Sequence, residues 1–574
     1  MAKKYWKHII SAIFFAAAFL FWRFGYACAF SYHEQFQMFL FTKSYFMERM
    51  SLPGGLADYI SEFLVQFYYF PLFGAIIVSA LLLGIQLITY KIIKTLGDKD
   101  TAYILSFVPV MFVWHYMGNE SVLLSFVVAV LASLGFNFGY VNIKNNIIKM
   151  AYSTAGVALF YYLFGAIAFA SVLFIIGYNF RQKNSIVYSV AAVLCSVFTA
   201  VICYKLSSYQ LHRFFLGINY FRFPTEIPLM QFFIMFWIGI LGIIKCKPTK
   251  YSPILMTACW LVAGGFYVAT GFNVIHYTAM EYDYLVRIGN WDKIIAMSEN
   301  KKVLSPQNVS CINLALAEKG VLGDRMFDFP QNGKQGLMPD FVRDFFLPLS
   351  SAEIYLRLGM VNTSMRLFFE AQEAIPNYRK SGRITKRLAE LNILNEDYEV
   401  ARKYLDMLAN TLFYKDFAQN ALANLGDKSK FTENKFWAAI DKSRYQKDFL
   451  FSEAESDQMY GLLLVQNEKN RLACDYLMAD VLLERDLQKF VNYYTLCKNA
   501  GYAVLPKHFQ QALIYAYYQT HGNLNGIPPV VTVTTDNVAE FQQFMQQYSR
   551  NPQSVKGTEY EKTYYAYLLN LNVR

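Results

Sequence analysis

Glu34 follows His33 directly after the first apolar run, where polar groups first appear. A carboxylate at that depth, beside an aromatic and partly dry surface, can hold its proton more tightly than usual and serve as a general base. The alternative is an ordinary solvated loop acid. His33 either orients that acid or is an interfacial side chain. His115, Asn119 and Glu120 crowd the tight turn WHYMGNES; they read as a ligand cluster, or as a helix cap with an acid in the first turn. Arg213 and Arg222, set among Tyr and Phe, can grip a phosphate by paired hydrogen bonds or bind lipid headgroups. Arg23, inside the first run, would be costly against lipid, so it snorkels outward or pairs inside a bundle. The candidates are therefore Glu34 as catalytic acid or base, with His33, His115, Glu120, Arg213 and Arg222 as substrate contacts. The sequence contains no phosphate loop, dinucleotide fingerprint, HExxH or nucleophile elbow. Cofactor and metal are left open.

The elements that position these residues are set by composition. Of 574 residues, 55% are hydrophobic and only 17% charged, below the quarter usual in soluble chains, so part of the chain is solvated by lipid. The net charge of +11 lies in the first half. Met1 to Gly271 holds 19 Lys+Arg against 8 Asp+Glu, and the remainder 34 of each. Basic excess confined to a greasy half carries orientation meaning and excludes nucleic acid as the partner.

Runs of about 20 apolar residues, the length of a spanning helix, occur at Ile9–Phe30, Tyr69–Tyr90, Thr101–Gly118, Ser121–Tyr140, Ser185–Tyr204, Pro228–Ile244 and Pro253–Phe272. Met150–Phe180 is long for one span and short for two. Basic residues arbitrate. Loops with Lys3, Lys4 and Lys7, with Lys91, Lys94 and Lys99, with Lys144 and Lys149, with Arg181 and Lys183, and with Lys245, Lys247 and Lys250 hold 13 Lys+Arg, against 5 in the intervening loops. Placing all five inside makes Met150–Phe180 cross twice. The result is nine spans, the amino terminus cytoplasmic and the carboxyl-terminal domain outside. Met1–Lys7 leads into an apolar run without an AxA-like cleavage site, so an uncleaved first span is expected.

Two outer loops are more than connectors. Ser31–Phe70 carries two amphipathic stretches broken at Pro53-Gly54-Gly55, expected to lie flat in the interface. Lys205–Ile227 forms a cationic, aromatic rim. Beyond His276 the pattern is helical hairpins. Gly289, Gly323, Gly359 and Glu396 taken as equivalent turns are spaced by 34, 36 and 37 residues, near the 34-residue period of tetratricopeptide repeats. Tyr355, Gly359, Phe368, Ala371 and Pro376 match that family's pattern best, within Tyr282–Phe413. A weaker hairpin recurs at YLMADVLLERDLQKFVNYYTL. Asp328–Phe341 reads as an excursion from one face, and PPVVTVTTDN as an extended segment. The eight cysteines, without CxxC or His pairing, argue against zinc or a disulfide scaffold. The expected fold is all-α: a multispanning helical membrane domain of about nine spans over 1–272, then a tetratricopeptide-like α-solenoid over 273–574.

The layout of a first span, a long outer loop opening at Glu34, paired spans and an outer repeat domain resembles the integral-membrane glycosyltransferases of the GT-C class. Those with tetratricopeptide tails, the O-mannosyltransferase-like members, share it most closely. The resemblance implies Glu34 as the base that deprotonates an acceptor, and Arg213 or Arg222 as contacts to a lipid-linked sugar phosphate. The family shows two adjacent acids, whereas Glu34 stands between His33 and Gln35. The chain also resembles multispanning Bacteroidetes proteins with helical-repeat tails, which implies a bacterial inner membrane and a periplasmic tail. Two functions follow. One is a transferase working beside the lipid bilayer on a lipid-linked sugar phosphate. The other is a non-catalytic membrane scaffold whose repeats hold a periplasmic protein or peptide.

Overall fold

The computed structural model describes residues 2–97, 100–223, 225–244, 252–299, 301, 303–376, 379–447, 452, 454–497, 499–526 and 533–571. Among them the regular structure is helical throughout, and the β pairings are two isolated bridges, Val122 with Phe221 and Asn332 with Lys334. The basic loop residues Lys99, Lys245, Lys247 and Lys250 lie outside the described residues, as does the first half of the PPVVTVTTDN stretch; its last residues open the helix Thr535–Arg550.

Among the described residues, five helices are long and apolar enough to cross a membrane: Tyr5–Gly25, Pro71–Leu96, Leu124–Asn142, Asn146–Gln182 and Ile186–Lys205. A sixth is reached if Pro253–Ala269 and Val274–Ile288, bent by 73°, are one span. These helices fit a membrane protein, although length and composition alone mark fewer spans than nine. The expected run Thr101–Gly118 is divided into Asp100–Leu105 and Phe107–Tyr116. The cause is local: Pro109 lacks the N–H that would bond the Leu105 carbonyl, and its ring crowds that carbonyl. Within Pro228–Ile244 the helix is Leu229–Ile240, 12 residues. The first apolar run ends in a π-turn at Phe21–Gly25, and Ala27–Glu34 begins a new short helix. Arg23 in that turn lies over the Phe24 ring.

By length Asn146–Gln182 is a single helical segment of 37 residues, yet its two ends meet. Lys149 Nζ sits 5.3 Å from the Tyr178 ring centre and 5.4 Å from that of Tyr140. A straight helix would separate residues 149 and 178 by about 43 Å, at 1.5 Å per residue. The segment therefore folds back on itself, and the reversal is at Gly165, whose φ of +77° a side chain would strain. The Tyr220 hydroxyl clasps the turn, donating to the Phe164 carbonyl and accepting from Ile167 N.

The same end of the helices collects the other basic residues. Lys7 Nζ is 3.1 Å from both Asp100 Oδ1 and Tyr90 OH. Arg181 donates to the carbonyls of Leu96 and Ile244. Four of the five basic loops thus converge on one end.

The chain divides into two compact units. The first is Met1–Tyr277 together with two short distant segments, Arg379–Gly382 and Asn410–Lys415; the second is the rest. In the second, five helices end in one recurring turn, with left-handed residues at Gly289, Gly320, Gly359, Glu396 and Arg485. In each, the next residue's N–H returns to the carbonyl five positions back, at 3.0 Å for Asn290 to Leu285 and 2.9 Å for Met360 to Tyr355. This is the Schellman closure that satisfies last-turn carbonyls. Gly323 is not one of these turns: it lies in helix Leu322–Arg325, where a Cβ would meet Pro506 and Phe509 at 2.6–3.0 Å. The observed turn is Gly320. The Asp328–Phe341 segment is tied back to the second unit. Asn313 Nδ2 holds Gln331 Oε1 at 3.0 Å and Gly336 O at 2.9 Å, and Lys334 pairs with Asp480 and Glu484. Cys474 and Cys497 form a disulfide, a pairing that reading the dispersed cysteines alone did not reveal.

Candidate functional site

The end of the first unit away from Lys7, Lys149 and Arg181 holds a cluster of buried charge. Helix Ala27–Glu34 delivers three consecutive side chains there, and at about 100° per residue they face three directions. Tyr32 OH accepts from Arg222 Nη1 at 2.6 Å, and the guanidinium also lies 4.3 Å from the Phe223 ring centre. His33 borders a small cavity, about 20 Å³, with Gln37, Trp22, Phe30 and Tyr68 around it. That space suits one water. Burial, then the nearby Arg222 charge, pushes the His33 imidazole down to about 4, so it is neutral at physiological pH. Glu34 turns to a third partner: its Oε1 accepts from Tyr414 OH at 2.6 Å, and the residue is 5% exposed.

Beside this helix, the stretch after Glu34 is pinned by backbone bonds, Met38 N to Lys380 O at 3.0 Å and Phe41 N to Asn410 O at 2.8 Å. The surface helix Gly55–Val65 packs on Leu124–Asn142. Gly54 takes φ +90° at the Pro-Gly-Gly break and donates to Tyr162 O at 2.9 Å. Asp58 and Glu62, one turn apart on its inner face, are fully buried. Arg379 Nη2 lies 2.6 Å from Asp58 Oδ1 and its Nη1 3.4 Å from Glu62 Oε1. Arg49 Nε lies 2.8 Å from Glu62, Asn219 donates to Asp58 at 2.9 Å, and Tyr45 donates to Glu62. Burial and the Asp58 charge raise the Glu62 carboxyl, against the pull of Arg379 and Arg49. Two acids and two guanidiniums balance, which is what permits their burial.

The remaining predicted residues do not join this group as expected. His115 stacks on Tyr267 at 4.2 Å and its Nδ1 sits 2.9 Å from the Tyr267 carbonyl, joining two helices. Glu120 pairs with His276. Asn119 accepts from Ser121 N at 2.9 Å in a turn, and the next helix begins only at Leu124. The cluster read from WHYMGNES is thus two separate contacts. Arg213 is 4% exposed and donates to the Ile218 carbonyl within its own loop.

Sequence reading missed Asp58 and Glu62 as a pair, and Arg379 and Tyr414 altogether. The first had a signal: two acids four apart in the otherwise apolar GLADYISEFLV share one helix face. The others had none, since they lie more than 300 residues from their partners. Among the described residues no group of three or more His, Cys, Asp or Glu is placed to hold a metal ion.

The arrangement can accept a proton at Glu34, hold an anion near Arg222, and keep His33 as a neutral donor or acceptor. No curated protein and no solved structure matches the chain. A family model described as "Family of unknown function (DUF6057)" matches residues 2–570, nearly the whole length, and the chain belongs to that family.

Proposed function

We propose that the protein is an integral-membrane transferase that moves a sugar from a lipid-linked donor at the outer face of a bacterial inner membrane. The observation that carries this is one short helix that presents buried Glu34 and, two residues earlier, Tyr32, which holds the buried cation Arg222. In this reading the acceptor hydroxyl gives its proton to Glu34. Its oxygen attacks the sugar's anomeric carbon, and the bond from that carbon to the donor phosphate breaks. The departing phosphate gains charge, which Arg222 offsets. Tyr414 OH, donating to Glu34, marks where the acceptor hydroxyl would sit, so Tyr414 has to yield its place during turnover. The GT-C resemblance and the basic end opposite Glu34 support the orientation. The Cys474–Cys497 disulfide supports an oxidising compartment for the tail. Glu34→Gln should abolish a cell-surface glycoconjugate while the protein level stays unchanged. An unaltered glycoconjugate profile removes Glu34 from the mechanism.

A second reading is favoured by the closure of Tyr414 over Glu34: a scaffold whose tetratricopeptide-like repeats hold a periplasmic protein or peptide. A cavity of about 190 Å³ in the second unit, edged by Tyr355, Phe341 and Arg366, would seat the partner's side chains. A protein that co-purifies with the wild type and is lost from Phe341→Ser and Arg366→Glu would favour this reading.

A further inference from the structure

The second unit contains another cavity, about 310 Å³, at the lower edge of the range for small-ligand sites of about 300–1,000 Å³. Its walls are aromatic: Phe327, Phe329 and Tyr567 are 3%, 5% and 7% exposed. Two cations and two acids reach it, and they are not equally engaged. Asp328 Oδ2 already accepts from Arg325 Nε at 3.0 Å, and Glu561 Oε2 from Gly557 N at 2.9 Å. Arg485 and Lys562, in contrast, make no ion pair with a carboxylate among the described residues. Arg485 is held in place by two features. It occupies the left-handed turn after helix Arg471–Glu484, and its guanidinium lies 4.7 Å from the Tyr567 ring centre. Its Nε is buried with no hydrogen-bond acceptor, an arrangement that costs stability unless an anion supplies one.

We infer that this cavity binds an acidic sugar residue, a hexuronate, with its carboxylate on Arg485 and Lys562 and its ring against Phe327, Phe329 and Tyr567. The aromatic walls suit the apolar face of a pyranose. The Asp328 and Glu561 carboxylates can accept bonds from its hydroxyls, a role an aliphatic acid would leave unused. The site is separate from Glu34, and the inference stands whether or not the protein is a transferase.

The test uses the full-length protein in detergent, with methyl glucuronide and methyl glucoside as probes and binding read by calorimetry. The glucuronide should bind, and the glucoside about tenfold or more weaker, as expected for loss of a charge-assisted hydrogen bond. Arg485→Asn keeps a residue that tolerates the left-handed turn, so it should fold normally and lose about tenfold of glucuronide affinity. Lys562→Gln, at the exposed rim, should weaken it less. The inference is overturned if the glucuronide does not bind, if both glycosides bind equally, or if Arg485→Asn with an unchanged melting temperature binds as the wild type does. Tighter binding of N-acetylphenylalanine than of glucuronide would also overturn it, by assigning the pocket to a peptide carboxylate.

Discussion

The carboxylate of Glu34 and the hydroxyl of Tyr414 meet at 2.6 Å across 380 residues of sequence. A hydrogen bond to a buried charged group is worth about 1.5–3 kcal/mol. Tyr414→Phe should lower stability by that order. In a double-mutant cycle with Glu34→Gln, the two losses should be non-additive. Additive losses in thermal unfolding would mean that the pair does not interact in solution.

Arg379 carries a larger share. It contacts both Asp58 and Glu62, and removing one partner of a buried ion group costs about 3–5 kcal/mol because the others stay charged and buried. Arg379→Met should therefore destabilise strongly. Adding Asp58→Asn to it, which leaves the Arg49–Glu62 pair balanced, should recover much of the loss. No recovery in melting temperature would show that Arg379 acts by packing rather than by charge.

The folding back at Gly165 predicts sidedness. Cysteines introduced at Lys149 and Lys183 should react with a membrane-impermeant thiol reagent from the same side of sealed vesicles. Labelling from opposite sides would contradict the Lys149–Tyr178 contact.

In the second unit, burial raises the Asp475 carboxyl to about 6, against an ordinary 3.8, with Tyr502 and Arg471 only partly opposing. Asp480 is raised likewise to about 6. A raised folded-state value means that these groups favour the fold fully below about pH 4 and lose that contribution as pH rises through 6. By neutral pH the loss from Asp475 amounts to up to about 3 kcal/mol. Asp475→Asn should raise the melting temperature at pH 7.5 more than at pH 5. The same increment at both would show an unshifted carboxyl.

The disulfide supplies a test of compartment. Mass spectrometry of protein taken from cells under thiol-blocking conditions should recover Cys474 and Cys497 as a linked peptide pair. Finding both blocked as free thiols would place the second unit in a reducing compartment.

What the sequence determined by itself was local or one-dimensional. Apolar runs specify helices because a backbone in lipid must bond to itself, and the placement of Lys7, Lys149 and Arg181 sorted the loops to one end. Gly289, Gly359 and Glu396 announced their turns through short-range chemistry, although Gly320 and Gly323, three apart in GVLGDR, were not distinguishable by type. Tertiary structure decided the partners. His115 and Glu120 are near neighbours in sequence, yet one meets Tyr267 and the other His276, and Glu34 is held by Tyr414 rather than by adjacent His33. Buried polar groups must find partners wherever the packed chain supplies them, and periodicity does not say which distant segment that will be.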